Sequence, residues 1–146
     1  LVNGGTKVNM IPDRCTITMD RRLLPIESME AITEEIRRTL ADLMEEGASY
    51  ELRVIKAWPP VLMEQDHPLV QTLAGAFEAV FQRRPELRGK AASTDASFIY
   101  GLAGVPVVLY GPGLPTLAHM ADEYVEVQAL VRASHIYTLT ALGLLA

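Results

Sequence analysis

The chain has 146 residues, 49% of them apolar, enough for a core and unlike a disordered sequence. Its formal charge of −5 argues against a nucleic-acid surface, and no basic cluster exceeds Arg21-Arg22 or Arg83-Arg84. A single cysteine, Cys15, excludes an internal disulfide.

Reducing, cytoplasmic surroundings are therefore the default, and neither a membrane span nor a signal peptide is expected. Leu1-Val2 running straight into Asn3-Gly4-Gly5 reads as a strand end entering a turn. The chain is accordingly expected to be a piece of a longer protein. Thr6 to Pro12 continues as a loop or edge segment. Arg14 to Leu24 alternates: Cys15, Ile17, Met19 and Leu23 share one face, while Thr16, Thr18, Asp20 and Arg22 share the other. That period of two predicts a half-buried strand ended by Pro25, with Cys15 as a small hydrophobe rather than a nucleophile.

Ser28 is a natural cap for a helix reaching about Glu46, with Gly47 as its stop. Met29, Ile32, Ile36, Leu40 and Leu43 form its apolar stripe. Glu34 and Arg38 have pairing distance on its wet face, whereas Glu45 and Glu46 oppose the helix dipole. Tyr50 to Trp58 reads as another strand, and Pro59-Pro60 as a boundary. The front unit, 1–58, thus reads as part of a small α+β sandwich.

Asp66 is the expected cap of a helix over about 67–83, with Pro68 in its first turn. Its stripe is Leu69, Val70, Leu73, Phe77, Val80 and Phe81. Leu87 to Ala92 suggests a short strand. Ser93-Thr94-Asp95 opens a short helix that Gly104 ends. Val105 to Tyr110 is wholly apolar, as in a sheet covered on both faces. Val127 to Leu145 is the last helix. This alternation makes 59–146 an α/β unit.

The stretch Gly111 to Glu126, GPGLPTLAHMADEYVE, follows the apolar run. Loops at the ends of α/β strands commonly carry sites. Gly111 and Gly113 allow close approach of backbone to a ligand. His119 is the one side chain there able to bind a transition metal at neutral pH without first losing a charge. Asp122 and Glu123 are placed to orient it. On spacing alone, a surface loop with a solvated histidine is the better reading, since one ligand is not a site.

Four segments in this order resemble one family. They are Gly4-Gly5 with Asn9-Met10-Ile11-Pro12-Asp13; Asp20-Arg21-Arg22-Leu23-Leu24-Pro25; Ser93-Thr94-Asp95-Ala96; and Gly111-Pro112-Gly113 with His119-Met120-Ala121-Asp122-Glu123-Tyr124. The chain resembles the di-zinc amidohydrolases that include acetylornithine deacetylase, succinyl-diaminopimelate desuccinylase, aminoacylase and glutamate carboxypeptidase. The resemblance implies that 1–58 is the second half of a ferredoxin-like α+β lid and dimerisation domain. It implies that 59–146 is the C-terminal part of an α/β zinc-peptidase catalytic domain.

It also implies roles. His119 resembles the zinc ligand of the C-terminal segment. Arg22 resembles a lid arginine that grips a substrate carboxylate through two parallel hydrogen bonds. Asn9 resembles a lid asparagine at the substrate or the neighbouring subunit's site. Gly111 and Gly113 bring backbone near substrate, and Asp95 lies beside the site. Each has a plainer alternative: a surface Arg22–Asp20 pair, a turn at Asn9, a helix cap at Asp95. His67 is expected to be solvated and His135 structural.

The parent enzyme implied by the resemblance holds two zinc ions, with cobalt or manganese as alternatives. It hydrolyses an amide of N-acyl amino acids or small peptides and forms a homodimer through the lid. Its His-x-Asp motif, bridging aspartate, glutamate base and remaining acidic ligand lie upstream of such segments. None is present here, so no catalytic residue is assigned and the chain alone is expected to be inactive. Two other functions fit the residues: a non-catalytic dimerisation module, and a ferredoxin-like regulatory domain binding a small amino acid.

Overall fold

The computed structural model describes residues 1–44, 47–90 and 92–146. Its elements are two strands, β1 (Val2–Gly4) and β2 (Cys15–Ile17), four helices, α1 (Met29–Leu43), α2 (Pro68–Phe81), α3 (Ala96–Ala103) and α4 (Val127–Leu145), and a 3-10 turn at Pro115–Leu117.

β1 and β2 pair antiparallel with Val2 opposite Ile17, Asn3 opposite Thr16 and Gly4 opposite Cys15. Leu1 and Thr18 extend the ladder by exchanging both backbone hydrogen bonds at 2.9 Å. The strand expected over Arg14 to Leu24 is therefore only its first part. Cys15 is exposed rather than packed as a hydrophobe. Alternation specifies a face, but a strand persists only where a partner backbone takes its N–H and C=O groups. β1 offers such a partner for three residues.

The same reason accounts for Tyr50 to Trp58 and Val105 to Tyr110, which form no helix and join no ladder. Among the described residues of Leu87 to Ala92 there is likewise no ladder; Ala91 lies outside them.

α1 begins where expected, Ser28 Oγ accepting the Ala31 N–H at 3.1 Å. Ile32 is the buried member of its stripe, while Leu43 stays exposed. The helix ends at Leu43 with Met44 extended, before the expected Gly47 stop. Glu45 and Glu46 lie outside the described residues. Glu34 reaches Arg37 at 3.8 Å, one residue nearer than the expected Arg38.

The main packing is α2 against α4. All six residues of the expected α2 stripe are buried or half-buried. α4 presents Ala133, Ile136 and Thr140, one helix face by spacing. Ile136 is the largest fully buried side chain, at 0% exposure. Thr140 is buried without penalty because its hydroxyl donates to the Ile136 carbonyl at 2.7 Å. Close approach of the helices depends on Gly143, where a Cβ would stand 2.8 Å from Thr72 Cγ2. α2 is capped by His67, not Asp66: its Nδ1 accepts the Leu69 N–H at 3.1 Å. His67 is thus a half-buried cap rather than a solvated side chain.

α3 is seated on the junction segment. Trp58 and Phe98 meet with ring centroids 4.1 Å apart. A Cβ at Gly101 would run into Pro59 Cγ and lie 3.2 Å from Pro59 Cδ. In an open helix, Gly→Ala gains about 1 kcal/mol from propensity. Here Gly101→Ala is expected to lose about 1–3 kcal/mol from overpacking, read as a lowered melting temperature. A raised one would mean that Pro59 does not sit on α3.

Among the described residues, the hairpin, α1 and the α2–α4 pair do not pack on one another. Many large apolar side chains remain exposed, among them Val8, Ile11 and Ile26 at 109%, 97% and 91%. No helix among the described residues is long and apolar enough to cross a membrane.

Candidate functional site

The loop after Tyr110 is closed by its own backbone. Met120 N–H donates to Leu117 O at 3.1 Å and Glu123 N–H to Met120 O at 3.2 Å. His119 sits between them at φ 67, in the left-handed region. Histidine enters that region more readily than most side chains, but still at a cost of order 1 kcal/mol. Glu123 steadies the conformation, its Oε2 accepting the His119 backbone N–H at 3.0 Å. The carboxylate expected to orient the imidazole instead holds the main chain, and the imidazole is left exposed.

Gly111 and Gly113 stand at the loop's entrance, both exposed, and a Cβ at either would meet nothing within 4 Å. The chain's own packing has no need of glycine there. Space for an approaching group is what their lack of side chains provides. Tyr110, just before them, is held between helices. Tyr137 Oη on α4 donates to the Tyr110 carbonyl at 2.9 Å. The Tyr110 ring lies edge-on to Tyr137 at 5.7 Å and to Phe77 at 6.2 Å. Burial, and then the neighbouring Tyr137, push the Tyr110 phenol above its ordinary pKa.

Asp95 precedes α3, yet its side chain makes no capping hydrogen bond. Thr94 Oγ1 does that work, accepting the Ala96 N–H at 3.3 Å. The cap alternative for Asp95 therefore does not hold, and its carboxylate has no ion pair among the described residues.

Arg22 forks onto Asp20, Nε to Oδ1 at 3.0 Å and Nη2 to Oδ2 at 3.1 Å. Both side chains are exposed, at 54% and 72%, so the pair is worth only about 0–1 kcal/mol and is cheap to exchange. Arg21 is occupied elsewhere, 2.8 Å from Glu27 and 3.9 Å from Glu35. The Leu24 N–H and then Arg21 hold the Glu27 carboxyl below its ordinary pKa. Asn9 lies in the exposed turn whose Met10 N–H donates to Lys7 O.

The register places the Asn9 loop at the Gly4–Cys15 end of the ladder, whereas Arg22 follows its Ile17 end. Asn9 and Arg22 therefore lie off opposite ends of the hairpin ladder. Among the described residues no three His, Cys, Asp or Glu side chains are grouped to hold a metal. The exposed imidazole of His119 fits as one donor, but a zinc centre takes three or four. His135 is exposed on α4. A hollow of about 360 Å³ lies between α2 and the 105–110 segment, lined by Val70, Leu73, Phe77, Val108 and Tyr110 among others. It contains none of the site residues nominated above. Spacing did not flag Tyr137, because it acts on a backbone group rather than through a motif; Thr94 lay within the expected Ser93-Thr94-Asp95 helix opening.

Peptidase family M20/M25/M40 matches the chain over residues 2–143. The chain belongs to this family, as the four segments implied. It is 29% identical over 149 residues to the uncharacterised YgeY of Escherichia coli K12, covering 93% of this chain and 37% of that protein. It is 30% identical over 132 residues to a Mycobacterium tuberculosis protein provisionally named succinyl-diaminopimelate desuccinylase, DapE, covering 90% and 34%. A Bacillus subtilis protein provisionally named dipeptidase YtjP is 32% identical over 100 residues, covering 68% and 21%. The chain spans about a third or less of the length of these curated relatives. No solved structure matches it.

Proposed function

We propose that the polypeptide carrying this chain is a zinc-dependent hydrolase of amide bonds in N-acyl amino acids or small peptides. Residues 1–58 form the second half of a lid and dimerisation unit, and 59–146 the C-terminal part of the catalytic domain. The observation that carries this reading is the exposed His119, held left-handed on a self-bonded turn beside an open double-glycine loop. Strain retained in one exposed side chain is characteristic of functional loops. Relatives named for a dipeptidase and a desuccinylase point to the same substrate class.

Bound metal supplies an activated water and a polarised carbonyl in such chemistry. This chain's own residues do the rest of what can be assigned. His119 contributes one donor to one metal. Arg22 exchanges Asp20 for the substrate carboxylate and keeps a two-bond geometry in both partnerships. Gly111 and Gly113 admit the substrate against backbone. Asp95 stands near with an uncommitted carboxylate. Asn9 serves the substrate or, in a twofold homodimer, the neighbouring site. With one donor in hand, the 146 residues alone are inactive.

The test is hydrolysis of a panel of N-acyl amino acids and dipeptides by the whole native polypeptide, before and after chelation and zinc return. Hydrolysis lost to chelator and restored by zinc is expected. Arg22→Ala is expected to raise KM roughly 10-fold or more, losing a charge-assisted pair, with metal content unchanged. No hydrolysis of any panel member would favour the dimerisation-module reading, to which the exposed Val8, Ile11 and Ile26 also lend themselves.

A further inference from the structure

The peptide between Tyr110 and Gly111 carries two groups facing opposite ways, the Tyr110 C=O and the Gly111 N–H. They share one plane, so fixing the carbonyl fixes the direction of the N–H. Tyr137 fixes that carbonyl from α4 at 2.9 Å. The Gly111 N–H itself has no backbone or side-chain acceptor among the described residues. The flanking geometry resists rotation of the plane, because the Tyr110 ring is wedged edge-on between Phe77 of α2 and Tyr137 of α4. Beyond it the loop is open, with nothing within 4 Å of where a Gly111 side chain would begin. An aimed, uncommitted N–H on an exposed residue is a donor for an oxygen brought from outside.

We propose that Tyr137 is a positioning residue, whose hydroxyl aims the Gly111 N–H at an acyl or carboxylate oxygen of the substrate. This rests on the reading of the Gly111–Gly113 loop as lying at the substrate. Tyr137 touches no substrate; it acts through the Tyr110 carbonyl.

The experiment is Tyr137→Phe in the whole native polypeptide, which deletes one hydroxyl and keeps the ring. Hydrolysis of an N-acetyl amino acid is followed in parallel with Gly111→Ala, and the Gly111 N–H order parameter is read by 15N-glycine NMR. In Tyr137→Phe, KM is expected to rise about three- to tenfold, with kcat within twofold and bound metal and melting temperature unchanged. The Gly111 order parameter is expected to fall from about 0.85 towards 0.6. A shifted KM in Gly111→Ala alone would overturn the role of Tyr137 while leaving the loop at the substrate. Unchanged KM in both variants would remove the loop from the substrate and overturn both. Parallel loss of kcat and melting temperature in Tyr137→Phe would make the hydroxyl structural only. An unchanged order parameter would overturn the proposal whatever the assay gives, including in a polypeptide that hydrolyses nothing.

Discussion

His119→Gly in the whole native polypeptide is expected to lower bound metal from two equivalents to one and to cut amide hydrolysis by more than about 100-fold. It is also expected to be at least as stable as the parent protein. The first two effects follow from losing an imidazole donor. The third follows from φ 67 at this position, where glycine carries no steric penalty and histidine carries one of order 1 kcal/mol. His119→Ala separates the causes. It removes the imidazole but keeps a Cβ in the left-handed region, so it shares the metal loss without the gain in stability. Metal analysis, turnover and thermal melting on both variants check this. Two metal equivalents and full turnover in either variant would remove His119 from the metal. A melting temperature that falls in His119→Gly would mean that the imidazole helps hold the turn, for which no hydrogen bond or ion pair of the imidazole is present among the described residues.

The largest stability effect is expected at Ile136. Its side chain is fully buried between α4 and α2, with Ala133 and Thr140 beside it on the same face. Ile136→Ala removes three carbons from a site whose neighbours are fixed by the close approach of Gly143 to Thr72. Collapse into the vacated space is therefore restricted, and a loss of about 2–5 kcal/mol is expected in denaturant unfolding. Set against a typical total of about 5–15 kcal/mol, that is enough to leave a substantial unfolded fraction. Ile136→Val should lose only about 0.5–1.5 kcal/mol. Ile26, 91% exposed, is the control: Ile26→Ala should stay within about 0.5 kcal/mol of the parent. Equal effects at 136 and 26 would mean that α4 does not pack on α2.

Helices were legible in this sequence to the extent that their signals are local. Ser28 satisfies an orphan N–H of its own helix, and Gly104 turns left-handed at φ 65 to end α3. α4 runs over Val127–Leu145 as its composition suggested. Strands were not legible in the same way, since Val105 to Tyr110 advertises burial but cannot name the backbone that would pair with it. The site divides along the same line. His119, Arg22 and the double glycine could be picked out as residue types suited to a chemistry. That Glu123 would bind the His119 main chain, or that Thr94 would take the cap from Asp95, depends on a choice between competing donors a few residues apart. Spacing alone does not decide such choices.

Trp58, the chain's only tryptophan, rests on Phe98 just ahead of Pro59. The junction between the two proposed units therefore carries its own fluorophore. Trp58 is 39% exposed while seated, so emission wavelength and quenching by iodide would both have room to change if the 50–58 segment moved off α3. Light collected from this one indole would report movement of the proposed lid segment directly, in unlabelled protein and in real time. Substrate added in a stopped-flow mixer would then separate closing of the proposed lid from the proposed hydrolysis.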